Sequence, residues 1–112
     1  MLTYLIMVLA IAAVGGVVLA AKVLSGQLAP WPLSIIHALL GATGLIMLIM
    51  MVLEGSGGSR LTAALGLLVV AALGGFYLAS MHAKGNVAPK NVVLIHAGVA
   101  VAGFLTLLSL FL

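Results

Sequence analysis

Apolar residues run almost without interruption through four stretches of the chain: Leu2 to Val23, Leu33 to Val52, Leu61 to His82 and Asn91 to Leu112. Each reaches the roughly 20 residues that a helix needs to cross a hydrocarbon core of about 30 Å. Between them lie Leu24 to Pro32, Leu53 to Arg60 and Ala83 to Lys90, which hold nearly all the charges, all three prolines and the run Gly55-Ser56-Gly57-Gly58-Ser59. These are the predicted turns. Lipid offers no partner to a backbone amide, so the spans are read as helices, and stretches this long and continuously apolar do not suit tilted barrel strands. Pro30, Pro32 and Pro89 fall where the second and fourth helices begin, a position at which a missing amide proton costs nothing. The pattern predicts an all-α membrane protein with four transmembrane helices in a single domain, residues 1–112.

The four stretches are two copies of one pattern. Shifted by fifty-nine residues, Gly15-Gly16 falls on Gly74-Gly75, Gly26 on Gly85, Ala29-Pro30 on Ala88-Pro89, Ile36-His37-Ala38 on Ile95-His96-Ala97, and Gly44 on Gly103. The repeats are residues 1–53 and 60–112, each a helical hairpin. With two spans per unit both copies share one orientation, so the expected relation is a pseudo-twofold axis along the membrane normal. That operation sets His37 and His96 at the same depth.

Composition narrows the class. Of 112 residues 66% are hydrophobic and 4% charged, and the mean hydropathy is +1.50, which leaves far too little polar surface for a soluble globule. The absence of cysteine excludes disulfides, thiolate metal sites and covalent haem attachment. The formal charge of +3, from Lys22, Arg60, Lys84 and Lys90 against Glu54, is too sparse to bind nucleic acid but enough to orient the chain. Three lysines lie on the side of the first and third turns, so by the positive-inside rule that face is cytoplasmic and both termini are outside, as in a bacterial inner membrane. The first span lacks a basic leading region and is read as retained, not as a secretory signal. Trp31 and Tyr4 sit near span ends and are read as interface anchors.

His37 and His96 carry the candidate chemistry. Each lies about four to five residues inside its span, roughly 6 to 9 Å below the helix start, where an ionisable side chain faces the bundle interior and needs a partner. Two imidazoles set across an axis in an apolar bundle are what a pair of axial haem ligands requires, and both are also the candidate metal ligands. Gly41 and Gly44 after His37, and Gly98 and Gly103 after His96, are candidate cofactor-facing positions where missing side chains leave room for a macrocycle. The competing use of such glycines is close helix packing, and that of the histidines is a hydrogen bond to a carbonyl of a neighbouring helix. Lys22, Lys84 and Lys90 lie at the membrane face nearest both histidines, within reach of a haem's propionates. His82 ends the third span where the first repeat has Val23; it is read as an interfacial residue at a helix C-terminus, with a cofactor, proton or quinone contact as the alternative. Two nitrogens under-supply a tetrahedral zinc site, which would need His82 or a second protomer.

Two parallel repeats, each with a proline-started helix, an early His-Ala and a downstream glycine, resemble small four-helix membrane b-type cytochromes and the haem-bearing anchor subunits of respiratory enzymes. The resemblance rests on Ile36-His37-Ala38 to Gly44 and Ile95-His96-Ala97 to Gly103. It implies one haem b between two histidines, electron transfer without oxygen activation, and a quinone or a redox partner subunit as the natural partner. The chain is also similar, more distantly, to small four-span proteins of haem handling in mitochondria. In isolation it is not read as an enzyme: no span holds a nucleophile with a base, paired carboxylates or a phosphate loop. Two readings from other classes stand beside it. One is a structural or assembly subunit packed by its small residues, with homo-oligomers possible; the other is a small dual-hairpin transporter, although no span carries a midplane charge or a proline break.

Overall fold

The computed structural model describes residues 1–55 and 58–111. Among them there are four helices and no strand: α1 (Leu2–Leu24), α2 (Trp31–Leu53), α3 (Gly58–Ala83) and α4 (Lys90–Leu108), the last closed by a 3₁₀ turn at Ser109–Phe111. All four are long and apolar enough to cross a membrane. The expected spans are present with shifted ends: α2 starts at Trp31, not Leu33, α3 at Gly58, not Leu61, and α4 ends at Leu108, before the 3₁₀ turn. Hydropathy marks what lipid tolerates, whereas the helix starts where its cap allows. Pro30 and Pro89 occupy the N-cap positions in extended conformation, and Pro32 sits inside the first turn of α2. The Ser56-Gly57 part of the predicted Gly-Ser turn and the terminal Leu112 lie outside the described residues.

The lysine-side ends of α1 and α3 close in the same way. Gly26 (φ +84°) donates its amide to Val23 O and Gln27 to Lys22 O; fifty-nine residues on, Gly85 (φ +72°) donates to His82 O and Asn86 to Met81 O. This paired closure needs a residue in the left-handed region, which glycine enters without a Cβ penalty. Each long helix thus stops in a tight turn, and the proline that caps its successor starts the return span.

The helices pack in ring order: α1 against α2 and α4, α3 against α4 and α2, most extensively within each hairpin. α2 and α4 therefore lie diagonally opposite. The bundle is 41 Å long and little more than 20 Å across, close to the thickness of a bilayer with its interfaces. Large apolar side chains such as Val17, Leu39, Leu73, Phe76 and Leu105 stand exposed around its girth, as a lipid-facing surface requires.

The buried leucine core fills only one half. Leu5, Leu9, Leu48, Leu61 and Leu107 are buried toward the end where α3 begins and α4 finishes, and there Arg60 donates from Nη1 to Ser109 O at 2.9 Å. Leu9 fills the notch of Gly44 on α2 and Leu68 that of Gly103 on α4: a Cβ at Gly44 would lie 2.5 Å from Leu9 Cδ2, and one at Gly103 2.8 Å from Leu68 Cγ. Gly44→Val should therefore force the α1/α2 hairpin apart and cost about 1–3 kcal/mol. Thermal unfolding in detergent, followed by helical circular dichroism, measures it, and Leu9→Ala should recover most of the loss.

Candidate functional site

The other half of the bundle replaces leucines with two histidines. His37 and His96 each stand six residues after the first residue of their helices, Trp31 and Lys90, so they share one helical register. Their rings meet across the diagonal between α2 and α4. The ring centroids are 6.4 Å apart and the planes stand at 84°. Both rings are half-buried.

Each ring is oriented by the partner helix of its own hairpin. His37 Nδ1 lies 2.8 Å from Ala12 O on α1, and His96 Nδ1 lies 2.7 Å from Ala71 O on α3. A carbonyl only accepts, so Nδ1 carries the proton in both rings and Nε2 keeps its lone pair. The expectation of a histidine donating to a carbonyl of a neighbouring helix is met twice, at positions fifty-nine residues apart. The same bond is what orients a metal-ligating imidazole and fixes its tautomer.

Reaching those carbonyls requires a gap in the helix that carries them. In a helix the carbonyl of Ala12 faces the amide of Gly16 four residues on, so a side chain at Gly16 would stand beside the approach. A Cβ there would lie 2.9 Å from His37 Cε1, and one at Gly75 would lie 3.2 Å from His96 Cε1. Gly15 and Gly74 back the same rings, with a Cβ at 3.9 Å from His37 Cβ and at 3.5 Å from His96 Nδ1. The duplicated Gly-Gly pairs are the slots in which the histidines dock. Their place in the repeat is visible in the sequence; their use is not, because it depends on which helix each ring leans against.

The glycines expected to clear room for a cofactor divide. Gly44 and Gly103 are filled by Leu9 and Leu68, so they serve hairpin packing. Gly98 is exposed: two residues beyond His96 it is turned roughly 200° around α4 from the ring. Gly41, one turn after His37, is half-buried, and a Cβ there would meet nothing within 4 Å. Gly41 and the exposed Gly98 are thus the two of the four that no side chain fills, while the Gly15-Gly16 and Gly74-Gly75 faces are occupied by the histidines themselves.

His82 does not join the pair. It is buried at the end of α3, its ring stacked on Trp31 of α2 with centroids 3.7 Å apart and planes 12° from parallel, and Nδ1 is 3.2 Å from Ser34 Oγ. His82 stands in the last turn of α3, as expected, and its inward-turned ring also joins the two hairpins. Trp31 is half-exposed and combines an interface position with this stack. Neither Ser34 nor the Trp31 stack was legible in the sequence, since both lie some fifty residues from His82 in the other hairpin. No cluster of three or more His, Cys, Asp or Glu able to hold a metal occurs among the described residues, so any ion at the pair rests on two imidazoles.

Two imidazoles on opposite sides of one metal ion, with metal–nitrogen bonds of about 2.0–2.1 Å, would have ring centroids about 6 Å apart. The observed separation of 6.4 Å is close to that spacing. No protein-family model, curated protein or solved structure matches the chain.

Proposed function

We propose that the chain is a membrane electron-transfer protein that holds one haem b between His37 and His96, with its two hairpins related by a dyad along the membrane normal. The observation that carries the reading is the pair of rings 6.4 Å apart across the diagonal between α2 and α4, each with Nδ1 committed to a backbone carbonyl and Nε2 left to coordinate. When bound, haem supplies a single-electron couple. His37 and His96 would both be taken up in holding the iron, leaving no coordination site open for oxygen or substrate, which favours electron transfer over catalysis. The protein's part is to fix the imidazoles, surround them with apolar helix and keep water away.

In this reading the half with a leucine core is the rigid frame and the half with glycine and histidine is the cofactor chamber. The exposed Lys22, Lys84 and Lys90 gather at the chamber end, which the positive-inside rule assigns to the cytoplasm. Electron partners are then a quinol in the membrane, a neighbouring redox subunit or a soluble carrier at the lysine face. The test is to express the chain and purify it in mild detergent. One haem b per chain, with the sharp reduced-minus-oxidised bands of a low-spin b-type centre, is the expected outcome.

A second reading is favoured by one feature: the histidine–carbonyl bonds and the Leu9/Gly44 and Leu68/Gly103 contacts hold the hairpins without any cofactor. On that reading the chain is an assembly subunit. It would purify colourless, stay so after incubation with haem, and co-purify with a larger membrane complex.

A further inference from the structure

His82 carries a polar atom whose partner the fold does not supply. The residue is 7% exposed, and its Nε2 is buried with no hydrogen-bond partner. Ser34 decides the tautomer of the neutral ring. The Ser34 hydroxyl meets His82 Nδ1 and no other partner among the described residues, whereas Thr43, Ser80 and Thr106 return their protons to carbonyls one turn back. If the hydroxyl donates to Nδ1, one group is left unpaired, an Nε2–H. If Nδ1 donates instead, both the hydroxyl proton and the Nε2 lone pair go without partners. Since burying an unpaired polar group is costly, the arrangement with fewer of them is preferred. The ring therefore presents a buried N–H that lacks an acceptor.

The duplication does not account for this group. The positions fifty-nine residues from His82, Ser34 and Trp31 are Val23, Val93 and Lys90. Two valines serve on one side of the bundle where a histidine and a serine serve on the other, so hairpin packing does not require the polar set. Its position does suit a ligand. Trp31 precedes His37 by six residues on α2, about 9 Å along the axis toward the lysine end. An acceptor that reaches His82 from a group held between His37 and His96 must extend about that far toward the lysine end, and it arrives among Lys22, Lys84 and Lys90. Such an acceptor is an anion on a short arm, and the propionates of a porphyrin are two such arms.

We propose that His82 donates its Nε2–H to a propionate carboxylate of the haem held by His37 and His96, with Ser34 and Trp31 fixing the ring for that bond. This rests on the function proposed above. His82 is then a positioning residue outside the iron's coordination, and it makes a symmetric chamber polar on one side only. A lipid phosphate at the same interface is the other source of an anionic acceptor, and the test separates the two.

Protein purified in neutral detergent, free of anionic lipid, is titrated with haem b and with its dimethyl ester, in which both carboxylates are masked. Esterification should weaken binding to the wild type by about tenfold to a hundredfold, the range of a charge-assisted hydrogen bond. His82→Ala should weaken haem binding to a similar degree yet bind the ester as the wild type does, so that the two losses do not add. Ser34→Ala, which keeps the ring, should show a smaller loss. A His82→Ala protein that binds haem with wild-type affinity, or losses that simply add, would overturn the propionate bond while leaving the haem reading intact. Wild-type protein that binds neither form of haem would overturn both. Trp31, the single tryptophan, covers the remaining source: a His82-dependent change in its emission on adding anionic phospholipid, with none on adding haem, would assign the acceptor to lipid and overturn the proposal.

Discussion

If the chain holds haem as proposed, His37→Ala and His96→Ala should each remove it, and to the same extent. On the proposed reading each ring would supply one of two axial bonds, and each is held by an equivalent hydrogen bond of 2.8 or 2.7 Å to the helix beside it. Loss of either would leave the iron on a single imidazole with no third nitrogen at hand, since His82 faces Ser34 and Trp31. We expect less than about a tenth of the wild-type haem content in either variant, measured as pigment per chain after purification. Fold stability should change far less, because a single interhelical hydrogen bond in a membrane protein contributes only about 0.6 kcal/mol on average. A large loss of pigment with a small loss of thermal stability distinguishes a ligand from a packing residue. Equal pigment in wild type and variants would show that the rings serve packing alone.

Gly16→Val and Gly75→Val should empty the site without touching either ligand. A Cβ at Gly16 already comes within 2.9 Å of His37 Cε1, and a branched side chain fills the path by which the ring reaches the Ala12 carbonyl. The ring cannot yield while Nδ1 keeps its bond, so it must leave the carbonyl and, with it, its aim across the bundle. The alanine series grades the effect: at 2.9 Å against 3.2 Å, Gly16→Ala should lose more haem than Gly75→Ala. Haem content and retention on dilution measure both. Full occupancy in Gly16→Val would mean that the carbonyl bond does not orient the ligand.

Much of this architecture is legible in the residues because membrane insertion depends on a few strong signals. Four apolar runs, three proline-marked or glycine-marked turns and a fifty-nine-residue repeat lead to four helices in two hairpins. Helix ends are less legible, because Pro30 and Pro89 start α2 and α4 before the most apolar residues begin. The histidine pair is legible from its duplication. The glycines are not, since spacing places Gly44 and Gly103 along the histidine helices but cannot say that Leu9 and Leu68 will fill them. Gly15-Gly16 and Gly74-Gly75 stand out in the repeat, yet their meaning needs the partner helix in place. His82 is harder still, for its neighbours Ser34 and Trp31 come from the other hairpin, and no local pattern joins them.

The most direct test of the central claim, one iron held between His37 and His96, is the electron paramagnetic resonance spectrum of the oxidised protein. Axial imidazoles with planes as near perpendicular as the 84° seen between these rings should give a low-spin ferric signal dominated by a single large g value. A high-spin spectrum, a rhombic low-spin spectrum of the kind parallel imidazoles produce, or no ferric signal at all would contradict it.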